Sequence, residues 1–188
     1  MSKRLFIAFK IPSDLKNELL LVQHKIKNNL ELKGVNWVKP DNMHITVAFL
    51  GQVDEKVVPQ IIDIMNSVNF KSIQVKGEGL KFFNKNNYPA IFFYSLEVTD
   101  ELKDTVGNIR ENLIKKGIDF DRKNFNAHIT IARIKEEFDG NLLFKFVNEK
   151  KTFFESKKYS INSLVLFESK FVDNQPIYIP LHEINQEV

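Results

Sequence analysis

Cysteine is missing from the 188-residue sequence, and its absence excludes disulfides, thiolate catalysis, zinc ribbons and iron–sulfur clusters. An apolar run long enough to cross a membrane is missing as well. The first residues, Met1 to Arg4, pass directly into a strand-like segment. We therefore expect a cytoplasmic protein that does not associate with membranes.

A large excess of one charge is also absent, because the net charge is +3 and the pI is near 8.9. Such mild basicity is compatible with an RNA partner but is weaker than that of a protein that coats nucleic acid. No low-complexity segment or linker interrupts the chain, and its length suffices for a well-buried core. These features predict a single bilobal domain over residues 1–188.

What the sequence does contain is a repeated pentapeptide. His44–Ala48 reads HITVA, and His128–Ala132 reads HITIA. In both copies apolar residues alternate with polar ones, which predicts two β-strands. On a strand, residues two apart point to the same face and lie roughly 6.6 Å from each other. The sequence therefore predicts that two imidazoles and two hydroxyls leave rigid strands on their polar faces: His44, Thr46, His128 and Thr130.

Helical and strand periodicities alternate around these two motif strands. Periodic apolar residues predict helices from Ser13 to about Leu30, from Asp54 to Val68, from Thr99 to just before Gly117, and a short one at 142–147. A helix, a motif strand and further strands occur in each half of the chain. The pattern predicts an α+β fold of two pseudo-symmetric lobes, each a small antiparallel sheet with outer helices, that enclose a central cleft.

Two histidines suit the hydrolysis of a cyclic phosphate diester. One group must take a proton from water and another must give one to the leaving oxygen, and the imidazole pKa of about 6.5 serves both roles. Threonine hydroxyls can donate to phosphate oxygens as charge develops there. Strict alternation places Arg133 on the face opposite His128. It would clamp the phosphate if a bulge or a twist at the end of the strand turned it toward the cleft. Phe9 and Phe49, near strand ends, are candidates to stack on a terminal base.

The other two histidines carry no such pattern. His24 lies outside the apolar stripe of its predicted helix, and His182 is near the carboxyl end, so we expect both to be solvated. A zinc site is poorly supported, since a hydroxyl rather than a second imidazole or a carboxylate stands beside each motif histidine. We therefore predict no metal and no cofactor.

The two motifs resemble a known pair of signatures. Asn42–Gly51 and Ala127–Arg133 are similar to the paired motifs of the 2H phosphoesterase superfamily, and most of all to its RNA 2′,3′-cyclic phosphodiesterase branch, also called the 2′-5′ RNA ligase family. The resemblance extends nearly end to end, from the opening strand at Arg4–Phe9 through Trp37 to the closing strands. In those closing strands Gln175 stands where the family has a glycine. This departure bears on the shape of a loop and not on the chemistry.

This resemblance implies a metal-independent and ATP-independent enzyme that opens an RNA terminal 2′,3′-cyclic phosphate to a 2′-phosphate. It implies that His44 gives the proton to the leaving O3′ and that His128 activates water. It also implies that the motif hydroxyls and the guanidinium hold the phosphate: Thr46, Thr130 and Arg133. By microscopic reversibility the same site could join a 5′-hydroxyl to the cyclic phosphate in a 2′-5′ linkage.

The expected partners are RNA 3′ ends with a cyclic phosphate, tRNA fragments among them, or small cyclic nucleotides, and we expect a monomer. Two alternatives stay open. An enzyme of the same superfamily could act on 2′-5′ oligonucleotides or on a small cyclic phosphate such as that of ADP-ribose. A non-catalytic binder of RNA ends could use the same histidines only to grip phosphate, although Arg and Lys suit that task better.

Overall fold

The computed structural model describes residues 1–69, 71–150, 157–173 and 175–186. Within these ranges the helices are α1 (Ser13–Asn29), α2 (Val58–Ser67), α3 (Asp100–Lys115) and α4 (Glu137–Glu149). The strands are β1 (Ser2–Lys10), β2 (Val35–Trp37), β3 (His44–Asp54), β4 (Ile73–Lys85), β5 (Tyr88–Leu96), β6 (His128–Ile134), β7 (Lys158–Ile161), β8 (Ser163–Val172) and β9 (Gln175–Asn185). Short 3₁₀ turns, Pro40–Asn42 and Glu55–Val57, precede β3 and α2.

The strands form an antiparallel array in the order β7-β4-β5-β6-β3-β1-β8-β9, with β2 beside β6. The two motif strands, β3 and β6, are central neighbours and pair at one position, Ile45 opposite Ile129. This narrow seam divides the array into two lobes, β7-β4-β5-β6 with β2, and β3-β1-β8-β9. The predicted α+β class, with two antiparallel lobes around a cleft, is confirmed. The lobes are not the two halves of the chain, because β1 pairs with β8.

The helices pack by the faces that their periodicity predicts. Leu15, Leu19, Val22 and Ile26 of α1 are buried, as are Leu102, Val106, Ile109 and Leu113 of α3. Helix α4 begins five residues earlier than the apolar pattern at 142–147 indicates. The reason is a tertiary contact in its polar first turn, where the buried Asp139 carboxylate accepts a hydrogen bond of 2.6 Å from the Gly34 amide.

A bulge in β6 settles which way Arg133 faces. Thr130 lies opposite Phe93 and Ala132 lies opposite the adjacent Phe92, so Ile131 is an extra residue on β6. Ile131 and Ala132 are both buried in succession, and alternation then resumes one residue later. Arg133 therefore faces the same side as His128 and Thr130, and of the two possibilities named above, a bulge or a twist, the structure has the bulge.

Strand β3 carries the same irregularity at the equivalent place. Thr46 lies opposite Ala8 and Ala48 lies opposite Ile7, which makes Val47 the extra residue. Phe49 then faces the same side as His44 and Thr46. The two motif strands thus match in conformation as well as in sequence, with Phe49 and Arg133 in corresponding positions.

The structure contradicts the prediction that Phe9 stacks on a base. Its side chain has 0% exposure and belongs to the main core beneath the helices, together with Leu5 and Ile7. Phe6 and Ala8, at the alternate positions of β1, lie on the cleft side of the strand. Phe9 is near the cleft along the chain, but strand alternation turns its ring to the opposite face.

Candidate active site

A cavity of about 560 Å³ opens at the seam between the two lobes. Side chains of both motif strands line it, and the structure brings together six residues that the sequence singles out: His44, Thr46, Phe49, His128, Thr130 and Arg133. The cavity is also lined by residues that the sequence did not assign to the site, among them Arg4, Asn36, Lys39, Lys135, Phe171 and Tyr178. None of the described lining residues is an aspartate or a glutamate.

His44 is held by its own strand and by the turn before it. Its Nδ1 lies 2.7 Å from the carbonyl oxygen of Asn42, and its Nε2 lies 3.1 Å from Oγ1 of Thr46. Because a carbonyl can only accept, Nδ1 carries a proton, and in the neutral ring Nε2 accepts from the Thr46 hydroxyl. The Nε2 that faces the cavity is therefore the atom that gains or loses a proton.

Two aromatic rings enclose the His44 imidazole. The Phe6 ring centroid is 4.9 Å from it, and Tyr178 meets it edge-on at 5.3 Å. Burial lowers the pKa of His44 from 6.5 to about 4, and the positive charges of His128 and Arg133 act in the same direction. The hydrogen bond to the Asn42 carbonyl opposes this shift only in part. In the protein without a bound anion, His44 is neutral at pH 7.

His128 has the same Nδ1 anchor in the other lobe. Its Nδ1 lies 2.8 Å from the Asn126 carbonyl oxygen, which again leaves Nε2 as the titrating atom. Phe83 and Phe93 meet the ring edge-on at 5.2 Å and 5.4 Å. Burial lowers the pKa of His128, and the charge of Arg133 lowers it further, while the Asn126 bond opposes both.

Arg133 supplies positive charge to the whole site. Its charge lowers the pKa values of both catalytic candidates, His44 and His128. It also opposes the burial that raises the pKa of Tyr178. In a cavity whose described lining has no carboxylate, such a guanidinium is suited to bind a phosphate.

Phe49 is half-buried and lines the cavity, and other groups lie against its ring. The guanidinium of Arg4 lies over it, 5.1 Å from the ring centroid, and the Phe6 ring is stacked at 6.4 Å. A base that entered from this side would meet the outer plane of Arg4 before it met Phe49. The feature of the sequence that could have placed Arg4 in the site is its position two residues before Phe6, on the same face of β1.

The remaining sequence expectations concern residues outside the cavity. His24 is exposed on α1, and His182 is half-buried with Nε2 at 2.8 Å from Oδ1 of Asn66. Within the described ranges, no group of three or more histidines and carboxylates is placed to hold a metal ion. No helix in that part of the chain is long and apolar enough to span a membrane.

Comparison with known proteins gives a family match over most of the chain. The model of the LigT-like phosphoesterases matches twice, at residues 9–93 and 95–178, and each match contains one histidine motif. An RNA 2′,3′-cyclic phosphodiesterase of Methanocaldococcus jannaschii is 29% identical over 180 residues, 96% of this chain and 99% of that protein. One of Thermotoga maritima is 28% identical, over 98% of this chain and 96% of its own length.

Solved structures support the same fold. The crystal structure of E. coli LigT in its apo form has a TM-score of 0.75 at 17% identity and covers 98% of both chains. The complex of E. coli LigT with 3′-AMP has a TM-score of 0.76 at 17% identity over 99% of both chains. At these identities the likeness concerns the fold.

Proposed function

The chain belongs to the LigT-like phosphoesterase family of the 2H superfamily, and from this premise we propose that it hydrolyses RNA terminal 2′,3′-cyclic phosphates to 2′-phosphomonoesters. Relatives named RNA 2′,3′-cyclic phosphodiesterase match it over nearly its full length. The observation that carries the proposal is the pair of Nδ1-anchored histidines, each beside a threonine, in one cavity whose described lining has no carboxylate.

In the proposed reaction the cyclic phosphate lies between the two histidines. Nε2 of His128 takes a proton from water, which attacks phosphorus, while Nε2 of His44 gives a proton to the departing O3′. The proton donor and acceptor are assigned by family resemblance. Thr46 and Thr130 donate hydrogen bonds to the non-bridging oxygens, and Arg133 neutralises the charge that develops on them.

His44 can serve as the acid only if it is protonated, and its pKa of about 4 in the free protein opposes this. The negative charge of a bound phosphodiester favours the imidazolium and raises that pKa. Once Nε2 carries a proton it no longer accepts from the Thr46 hydroxyl, which is then free to donate to the phosphate. Substrate binding and proton uptake by His44 are thus coupled in this proposal.

The proposal extends to the substrate and the domain. The substrates would be RNA 3′ ends, and the enzyme would act as a monomer. The terminal base would stack on the guanidinium of Arg4, with the Phe49 ring behind it. The same acid and base run in reverse would join a 5′-hydroxyl to the cyclic phosphate. Residues 1–188 would act as one domain, because both lobes supply a histidine and β1 is paired to β3 and β8.

The test is incubation with a short RNA that ends in a 2′,3′-cyclic phosphate, in buffer with EDTA, followed by identification of the phosphate isomer. We expect a 2′-phosphomonoester, at the same rate with and without the chelator. A 3′-phosphate product, or loss of activity that zinc restores, would contradict the mechanism. Tight binding without turnover would favour the RNA-end binder, and turnover only of 2′-5′ oligonucleotides would favour the other branch of the superfamily.

A further inference from the structure

The cavity holds more positive charge than hydrolysis of one phosphate requires. Beyond Arg4 and Arg133, Lys39 and Lys135 also line it. Neither lysine forms an ion pair in the part of the chain that the structure describes. Unpaired cations around a cavity favour a polyanionic ligand that extends past the reacting group.

The position of Lys135 follows from its strand. The Lys135 amide donates a hydrogen bond of 2.8 Å to the Gly34 carbonyl, so the β2–β6 pairing continues past the end of β6. Lys135 is therefore two extended residues beyond Arg133, on the same face and roughly 6.6 Å along the strand. That separation is comparable with the spacing of successive phosphates in an extended single strand.

Lys39 reaches the cavity from the end of β2. Trp37 pairs with Ala132, and the Val38 amide donates to the Ile131 carbonyl at 2.9 Å, so the chain runs beside β6 until Lys39. The turn Pro40–Asn42 follows at once. The same pairing places Lys39 just past the position opposite Ile131 and Lys135 opposite Gly34, so the two lysines border the cavity on either side of Arg133.

An exposed aromatic ring also lines the cavity. Phe171 lines the cavity although its side chain is 67% exposed, and it pairs with Pro176 in the β8–β9 hairpin. The side-chain amide of Asn42 donates a hydrogen bond of 2.8 Å to the Pro176 carbonyl, which fastens the hairpin to the turn after Lys39. Phe171 and Lys39 therefore lie on the same side of the opening.

We propose that Lys39, Lys135 and Phe171 form a subsite for the second nucleotide of a single-stranded RNA end. The two lysines hold the phosphodiester that joins the second nucleotide to the terminal one, and Phe171 stacks on the second base. Stacking on a single ring accepts any base, so the subsite reads chain length and not sequence. This inference rests on the proposed function, and it names a dinucleotide end as the minimal good substrate.

Three substrates test the subsite: a nucleoside 2′,3′-cyclic phosphate, its 5′-phosphorylated form, and a dinucleotide that ends in the cyclic phosphate. For the parent protein we expect kcat/KM to rise along this series, with the dinucleotide at least tenfold above the first. In the Lys39→Gln/Lys135→Gln variant the advantage of both phosphate-bearing substrates should fall about tenfold. The slope of log kcat/KM against log salt for the dinucleotide should become shallower by about 1.4, or about 0.7 for each lysine replaced.

Phe171→Leu separates the base from the phosphate. It should lower the dinucleotide advantage about tenfold, while the 5′-phosphorylated mononucleotide and the salt slope stay as in the parent. The charge control is Lys103→Gln, which removes an exposed lysine from α3, outside the cavity. Thermal unfolding of all variants checks that they remain folded.

The outcomes distinguish the subsite from the reaction. If the parent hydrolyses the cyclic mononucleotide and shows no preference for the dinucleotide, the subsite is refuted while the proposed function stands. The subsite is also refuted if Lys103→Gln loses as much of the dinucleotide advantage as Lys39→Gln/Lys135→Gln does, because net charge would then be responsible. It is refuted as well if Lys39→Gln/Lys135→Gln keeps the full advantage, because another group would then be responsible. If the parent protein hydrolyses none of the three substrates, the proposed function and the subsite are both overturned.

Discussion

Replacing His44 with asparagine should make the folded protein more tolerant of acid, although the replaced group is central to the site. The asparagine amide can still donate to the Asn42 carbonyl, as Nδ1 of His44 does. What the variant loses is the group that titrates. The prediction concerns the free energy of unfolding as a function of pH, without substrate.

The sign follows from the lowered pKa. The unfolded chain binds a proton at His44 near pH 6.5, whereas the folded protein binds it only near pH 4, because burial disfavours the imidazolium. Between these values the unfolded state binds more protons, so stability is lost as the pH falls from 6.5 toward 4. At 1.36 kcal/mol for each pKa unit, the full loss is roughly 3 kcal/mol, and most of it is reached by pH 4.5.

Urea unfolding at several values between pH 7.5 and 4.5 measures this loss. Both proteins will lose stability through other groups, so the informative quantity is the difference between the parent and His44→Asn. That difference should change by roughly 2–3 kcal/mol in favour of the variant as the pH falls. His24→Asn, at an exposed position of α1, is the matched control and should track the parent. Parallel pH profiles for the parent and His44→Asn would show that burial does not keep His44 neutral.

Three further predictions concern catalysis. His44→Ala and His128→Ala should each lower turnover of a cyclic-phosphate RNA by roughly 10²–10⁴-fold, and a variant within a few-fold of the parent would remove that histidine from the mechanism. The pH profile of kcat/KM should be bell-shaped with its maximum below pH 6.5, because the pKa values of His44 and His128 are both lowered in the free protein. The maximum of kcat should lie at a higher pH, because bound phosphate favours protonation of the imidazole. A kcat/KM maximum above pH 7 would contradict the directions of the two pKa shifts. Thr46→Val and Thr130→Val should preserve thermal stability within about 1 kcal/mol and slow hydrolysis by about tenfold, whereas unchanged kinetics in both would leave the hydroxyls a packing role.

The sequence predicted those parts of the fold that depend on local periodicity. The motif strands and the buried faces of α1 and α3 lie where alternation or helical spacing put them. Helix α4 was predicted too short because the carboxylate of Asp139 begins it through a contact with Gly34, a residue 105 positions away. No pattern within the helix contains that information.

The cavity lining was harder to predict because it depends on pairing register. Alternation alone misplaces Arg133, and only the extra residue Ile131, visible in the pairing with β5, turns it toward His128. Phe9 was misassigned for the converse reason, since β1 keeps its alternation there and turns the ring into the core. Tyr178 and Phe171 come from β9 and β8, which reach the site only because β8 pairs with β1.

The site is nearly symmetric, whereas the proposed mechanism needs one histidine to act as the acid and the other as the base. Both rings have the same anchored Nδ1, and both motif strands have the same bulge. The difference lies after the bulges, where one strand presents Phe49 and the other presents Arg133, and in the rings that enclose the imidazoles. Burial lowers the pKa of His44 to about 4. It therefore depends on the charge of a bound phosphate to hold a proton, and it would be charged mainly when there is a leaving oxygen to receive that proton.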